Sequence, residues 1–137
     1  MAGEHLTGRY RVRATKSAFA DVNRMSLHAR DRMEIRRQAL KLRYWPGGDG
    51  GQVVDLDWSW IRTLPGLRVG ELRIHDTIAG NDNLRIIFFV GDESEKDPLP
   101  LIWVLRVMQK RKNDFTANEV NIFKARRRLV MERFYNN

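Results

Sequence analysis

The chain contains no cysteine. That excludes a disulfide framework, a thiolate metal site and a cysteine nucleophile, and it suits a reducing compartment. No apolar run approaches the roughly 20 residues that a membrane-spanning helix requires. The first residues, Met1-Ala2-Gly3-Glu4-His5, lack the apolar stretch of a secretory signal. The expectation is a soluble, cytoplasmic protein. Internal repeats and low-complexity segments are also missing. No zinc signature, phosphate-binding glycine loop or Ser-His-Asp pattern occurs, so neither a metal nor a cofactor is expected.

What is present is enough for one ordinary domain. The 137 residues are 42% hydrophobic. A chain of this size buries about two thirds of its unfolded surface and needs no covalent staple. Residues 1–137 are therefore read as a single domain. The net charge is +8, and it is unevenly spread. Residues 1–45 carry 11 Lys and Arg against 4 Asp and Glu, and residues 46–105 carry 5 against 10. From residue 106 onward there are 9 against 3. A soluble surface accounts for the totals as well as a binding surface does, but the basic final third favours a polyanion, most commonly nucleic acid.

Along the chain, Arg9 to Thr15 alternates arginine with Tyr10, Val12 and Ala14, as a half-buried strand does. Ser17 can cap a helix, and helical spacing continues to about Arg43, as one helix or as two that break at Met25-Ser26. Pro46 to Gly51 ends it in a loop. Asp55 to Trp60 is too aromatic for a free linker, and its tryptophans are expected to cover the edge of the core. Three runs rich in branched and aromatic residues follow: Arg68–Ile74, Leu84–Val90 and Leu101–Met108. The first two are joined through Gly80-Asn81-Asp82-Asn83, which is hairpin chemistry. An acidic loop, Asp92 to Asp97, precedes the third. Thr116 with Glu119 three residues on is a capping box for a helix from Ala117 to about Phe134. Arg126 and Arg127 fall in or beside its apolar stripe, and their stems are expected to pack while the guanidinium groups reach solvent. The order is strand, helix, helix, strand, strand, strand, helix. It implies an α+β domain with a twisted, mostly antiparallel four-stranded sheet and helices mainly on one face.

Two stretches carry a family resemblance: Leu64 to Ile74 with Leu84 to Phe89, and Val104 to Thr116 with Glu119-Val120 and Ala125-Arg126. Their order and spacing resemble the RelE/ParE toxin superfamily, in its phage-derived HigB-like branch, over roughly residues 64–128. Leu84 stands where that pattern often has Tyr, Met108 where it often has Phe, and Thr116 is not followed by Pro. The resemblance implies the toxin of a type II toxin–antitoxin system. Its activity would be metal-independent cleavage of messenger RNA on the ribosome, and its partner a cognate antitoxin. Two alternatives stay open: inhibition of DNA gyrase in the ParE manner, and a nucleic-acid-binding descendant without chemistry.

Cleavage through a ribose 2′-OH needs a proton acceptor, cations for the phosphorane and an acid for the leaving oxygen. Arg73 and Arg85, on adjacent strands of the hairpin, supply cations, and His75 beside them is the histidine nearest the motif. These three form the candidate catalytic set. For Arg73 an ion pair with Glu71 is an equally good reading. Arg106, Lys110, Arg111 and Lys112 form the candidate nucleic-acid-binding set at the end of the third strand, where a solvated charge run is the plain alternative. His5 and His28 read as tail and surface. Glu71 is a possible base, although the resemblance implies lysines along this strand. Tyr135 reaches a site only if the tail folds back. The cations are expected to converge on one concave patch.

Overall fold

In a strand, successive side chains point to opposite faces, so a run that is apolar at every position must be covered on both sides. The middle of the sheet is built of such runs, Ile86 to Val90 above all. The computed structural model describes residues 10–25, 27–47, 56–74, 84–91, 100–110 and 114–135. It contains β1 (Arg11–Ala14), α1 (Lys16–Arg24), α2 (Ala29–Leu40), a 3-10 turn (Lys41–Tyr44), β2 (Trp58–Trp60), β3 (Val69–Ile74), β4 (Leu84–Val90), β5 (Leu101–Gln109) and α3 (Ala117–Val130). A π-helical turn, Met131–Tyr135, continues α3. No helix among the described residues is long and apolar enough to cross a membrane.

The strands form one five-stranded sheet in the order β1-β5-β4-β3-β2. β1 runs parallel to β5, and the other neighbours are antiparallel. The sheet is therefore mixed and has one strand more than expected. The extra strand comes from the tryptophan-rich segment, where Trp58, Ser59 and Trp60 pair with Leu72, Glu71 and Gly70. A Cβ at Gly70 would lie 2.6 Å from Cζ of the fully buried Phe88 ring, so only glycine fits there.

The helices are not gathered on one face. Ile35, Leu42, Trp45, Leu72, Ile86, Phe88 and Val104 build one core, beneath α1 and α2. Val69, Ile87, Phe89, Leu105, Phe123 and Val130 build a second, beneath α3. Both faces of β4 are apolar, so each needs its own cover. The helix pair breaks between Arg24 and Ala29, close to the expected place. Thr15, rather than Ser17, caps α1, accepting from Ala18 N at 3.1 Å. The capping box of α3 forms, with Glu119 N to Thr116 Oγ1 at 3.1 Å and Thr116 N to Glu119 Oε1 at 2.8 Å.

β1 spans four residues and β5 nine, so β1 covers only part of β5's outer edge. Backbone groups left there need partners. Asp21 of α1 accepts from Val107 N at 3.1 Å. Arg126 of α3 donates to the Leu105 carbonyl at 2.8 Å and to Asp21 Oδ2 at 2.6 Å. Helices on opposite faces are thus clasped around the sheet edge. Arg127 turns inward as well, donating to the Leu67 carbonyl at 2.8 Å and lying 4.8 Å from the centre of the Phe89 ring. Burial pulls its guanidinium below the ordinary arginine range. Neither arginine reaches out to solvent as the helical pattern alone implies, because buried carbonyls and a carboxylate offer more than water on that side.

Removing one member of a buried ion pair leaves the other charge unmatched, at a cost of about 3–5 kcal/mol. Asp21→Ala is expected to lower the free energy of unfolding by that amount, measured by urea denaturation. A loss under about 1 kcal/mol, the range of an exposed pair, would show that the clasp is a surface feature.

Candidate nucleic-acid cleft

Alternation along β3 and β4 sends Glu71, Arg73 and Arg85 to the α3 side of the sheet, the side of Ile87 and Phe89. α3 buries that face through Phe123 and Val130. The stretch carrying the three charged residues is left as the floor of an open cleft of about 710 Å³. The turn after β2 forms one wall with Arg62 and Thr63, and Asp114 and Phe115 form the other. Arg62 Nη2 and Asp114 Oδ1 approach to 3.5 Å, and both side chains are more than four-fifths exposed. Such a bridge contributes little and yields readily.

Glu71 is the centre of the floor. Its side chain is 8% exposed, and three cations surround it. Arg73 Nη2 donates to Glu71 Oε1 at 3.0 Å and to Ser59 Oγ at 2.6 Å, while Arg73 Nη1 donates to Asp57 Oδ1 at 3.0 Å. Arg73 is thus committed to three acceptors and fixes the carboxylate. The other oxygen, Oε2, accepts no hydrogen bond among the described residues. Arg85 Nε lies 3.9 Å from it and Lys110 Nζ 3.6 Å. Both separations exceed the roughly 2.7–2.9 Å of a tight charge-assisted bond. Neither cation is therefore held to Oε2 by a tight bond. Arg85 also donates from Nη1 to its neighbour's carbonyl, Leu84 O, at 2.9 Å.

Of the residues singled out in the sequence, Arg73, Arg85 and Lys110 are brought together on this concave floor. Arg106 is not. Its Nη1 lies 3.7 Å from Asp21 Oδ1, at the edge clasp. His75, Arg111 and Lys112 fall outside the described residues, as do His5 and the acidic loop at 92–97. His28 stands exposed at the start of α2. The tail does fold back, but Tyr135 meets Phe89 and accepts from Trp103 Nε1 at 3.2 Å, at the far end of β4 from Arg85. Sequence reasoning passed over Phe115, whose ring centre lies 4.5 Å from Lys110 Nζ. It also underrated Glu71, whose signal was a carboxylate at an inward position of a strand.

No protein-family model, curated protein or solved structure matches the chain. Arg62, Arg73, Arg85 and Lys110 line the cleft against Glu71 and Asp114, with Asp57 beside Arg73, so positive charge predominates. Such a floor suits a phosphodiester. Glu71→Gln removes the one negative charge at its centre. The variant is expected to bind a single-stranded oligonucleotide more tightly than the parent at low salt, and to melt at lower temperature because the cations then repel unopposed. Titration across a salt series checks both the gain and its loss by screening.

Proposed function

We propose that the chain is an endoribonuclease that cleaves single-stranded messenger RNA without a metal, the toxin of a type II toxin–antitoxin pair. One observation carries the reading: a buried carboxylate whose second oxygen accepts no hydrogen bond among the described residues and lies 3.6 Å from Lys110 and 3.9 Å from Arg85 at the floor of an open cleft. The backbone phosphate of the substrate draws Arg85 and Lys110 away from Glu71 and uncovers Oε2. Glu71 then accepts the proton of the adjacent 2′-OH, and the oxygen attacks phosphorus. The product strand ends in a cyclic phosphate. Arg85 and Lys110 stabilise the charge gathering on the phosphorane, and the arginine fork can hold two of its oxygens. Arg73 takes no part in the chemistry beyond holding Glu71 in line.

The order of elements, strand, two helices, antiparallel strands and final helix, is roughly compatible with the resemblance to the RelE/ParE superfamily. β2 is an addition to that order. The ribosome as the place of cleavage, and an antitoxin that neutralises the basic cleft, rest on the resemblance alone.

Induced expression with mapping of messenger RNA 5′ ends tests the reading. The parent is expected to arrest growth and to generate new 5′ ends. Arg85→Ala is expected to abolish both while staying folded. Glu71→Gln is expected to lower cleavage by about 10²- to 10⁴-fold, the usual contribution of a general base, and to retain RNA binding. Growth arrest without new 5′ ends, accompanied by loss of gyrase supercoiling, would transfer the protein to the gyrase-inhibiting branch. A folded Arg85→Ala protein as toxic as the parent would end the reading.

A further inference from the structure

The cleavage step leaves one proton unassigned. As the bond from phosphorus to the 5′-oxygen breaks, its electron pair stays on that oxygen, which must be protonated. Lys110 is the group placed to do this. Its ammonium lies 3.6 Å from Glu71 Oε2, so a carboxylate and an ammonium stand side by side under one phosphate site. Once the phosphate has drawn the ammonium toward itself, the two groups border the same phosphorus. Its side chain is 13% exposed, so water does not stand in for it freely.

A lysine side chain is flexible, and holding it at one point requires contacts. Two are present. Glu71 attracts the ammonium from the floor, and Phe115 presents its ring from the wall at 4.5 Å. Phe115 is itself fixed edge-on against Phe123, with centroids 5.1 Å apart, and Phe123 is fully buried at the root of α3. With Lys110 over the ring and Phe123 beside it, Phe115 serves the lysine rather than a substrate base.

Building on the reading of the cleft as a ribonuclease site, we infer that Lys110 is the general acid of the reaction and Phe115 its positioning residue. The 2′-OH gives its proton to Glu71, the O2′–P bond forms and the P–O5′ bond breaks. The Lys110 ammonium then protonates O5′. This leaves Glu71 protonated and Lys110 as a neutral amine. When product leaves and the two groups return to their 3.6 Å contact, transfer of the proton from one to the other restores both, and no net proton is consumed. An ammonium is a much stronger acid than the alcohol that leaves, so its proton transfer to the departing oxygen is downhill.

Lys110→Arg keeps the charge and removes the acid, because a guanidinium does not release its proton. The test uses a short messenger RNA, free and programmed on ribosomes, with either a natural phosphodiester or a bridging 5′-sulfur at the cleavage point. A thiolate leaves without protonation. Lys110→Arg is expected to lower kcat about 10²- to 10⁴-fold on the natural substrate, with KM little changed, and to recover near-parental rates on the 5′-thio substrate. Phe115→Leu, which still fills the space against Phe123, is expected to lower kcat about tenfold. Phe115→Tyr is expected to restore it, and the leucine effect should vanish in a Lys110→Arg background. Thermal melting of each variant establishes that it is folded. Lys110→Arg active on the natural substrate, or equally impaired on both, would overturn the inference while leaving the cleft's assignment standing. Parental protein that cuts neither substrate would overturn both.

Discussion

The ion pair between Asp21 and Arg126 closes the domain around its open sheet edge. β1 stops at Ala14 while β5 continues to Gln109. Beyond that point, the Val107 N–H and the Leu105 carbonyl face outward in a largely apolar setting. Neither α1 nor α3 satisfies both groups alone, since one side chain accepts and the other donates. Together they do, and they bind each other at 2.6 Å. Arg106 leans on the same carboxylate at 3.7 Å. Two helices that never share a face are held in one relative position.

The cleft is built on an unfavourable pairing. β3 and β4 place Arg73 directly opposite Arg85. Like charges facing each other across an antiparallel pair destabilise it. Glu71, two residues earlier on the same face, offsets them and is buried in the act. The arrangement resembles the preorganised electrostatics of active sites more than a device for stability, for which two apolar residues would serve better. The buried carboxylate beneath facing arginines is thus a costly arrangement at one end of the central strands.

The two loose contacts of Glu71 matter more than the tight one. Arg73 holds Oε1 with a short bond and is itself tied to Ser59 and Asp57. That triad depends on β2, because Ser59 faces Glu71 in register. The tryptophan-rich segment thus has two tasks on two faces. Trp58 and Trp60 pack with Trp45 on one side, with centroids 5.1 and 5.6 Å away, and Ser59 steadies the arginine on the other.

Some of this was legible in the residues. β4 is bounded by Asn83 and Gly91 and is apolar at every position but Arg85, so its limits could be read directly. The Thr116–Glu119 box marked the start of α3, because both partners lie within one turn. The inward direction of Arg85 followed from its neighbours Leu84 and Ile86. Signals of this kind are local, and the chain determines them through periodicity and short-range hydrogen bonds. Other features had no local signal. Trp58-Ser59-Trp60 is too short to show alternation, and it became a strand by pairing with β3. Apolarity on both faces of β4 demanded two covers, but periodicity does not say which helix supplies which. Arg126 turned inward because Asp21, 105 residues away, waited at the sheet edge. The gathering of Glu71, Arg73, Arg85 and Lys110 required the register of three strands, and Phe115 joined them only through α3's seat on the sheet. Local patterns thus determined which residues form strands and helices, while tertiary structure decided which charges meet, because burial and Coulomb forces act between parts of the chain whose separation in sequence carries no record of their approach.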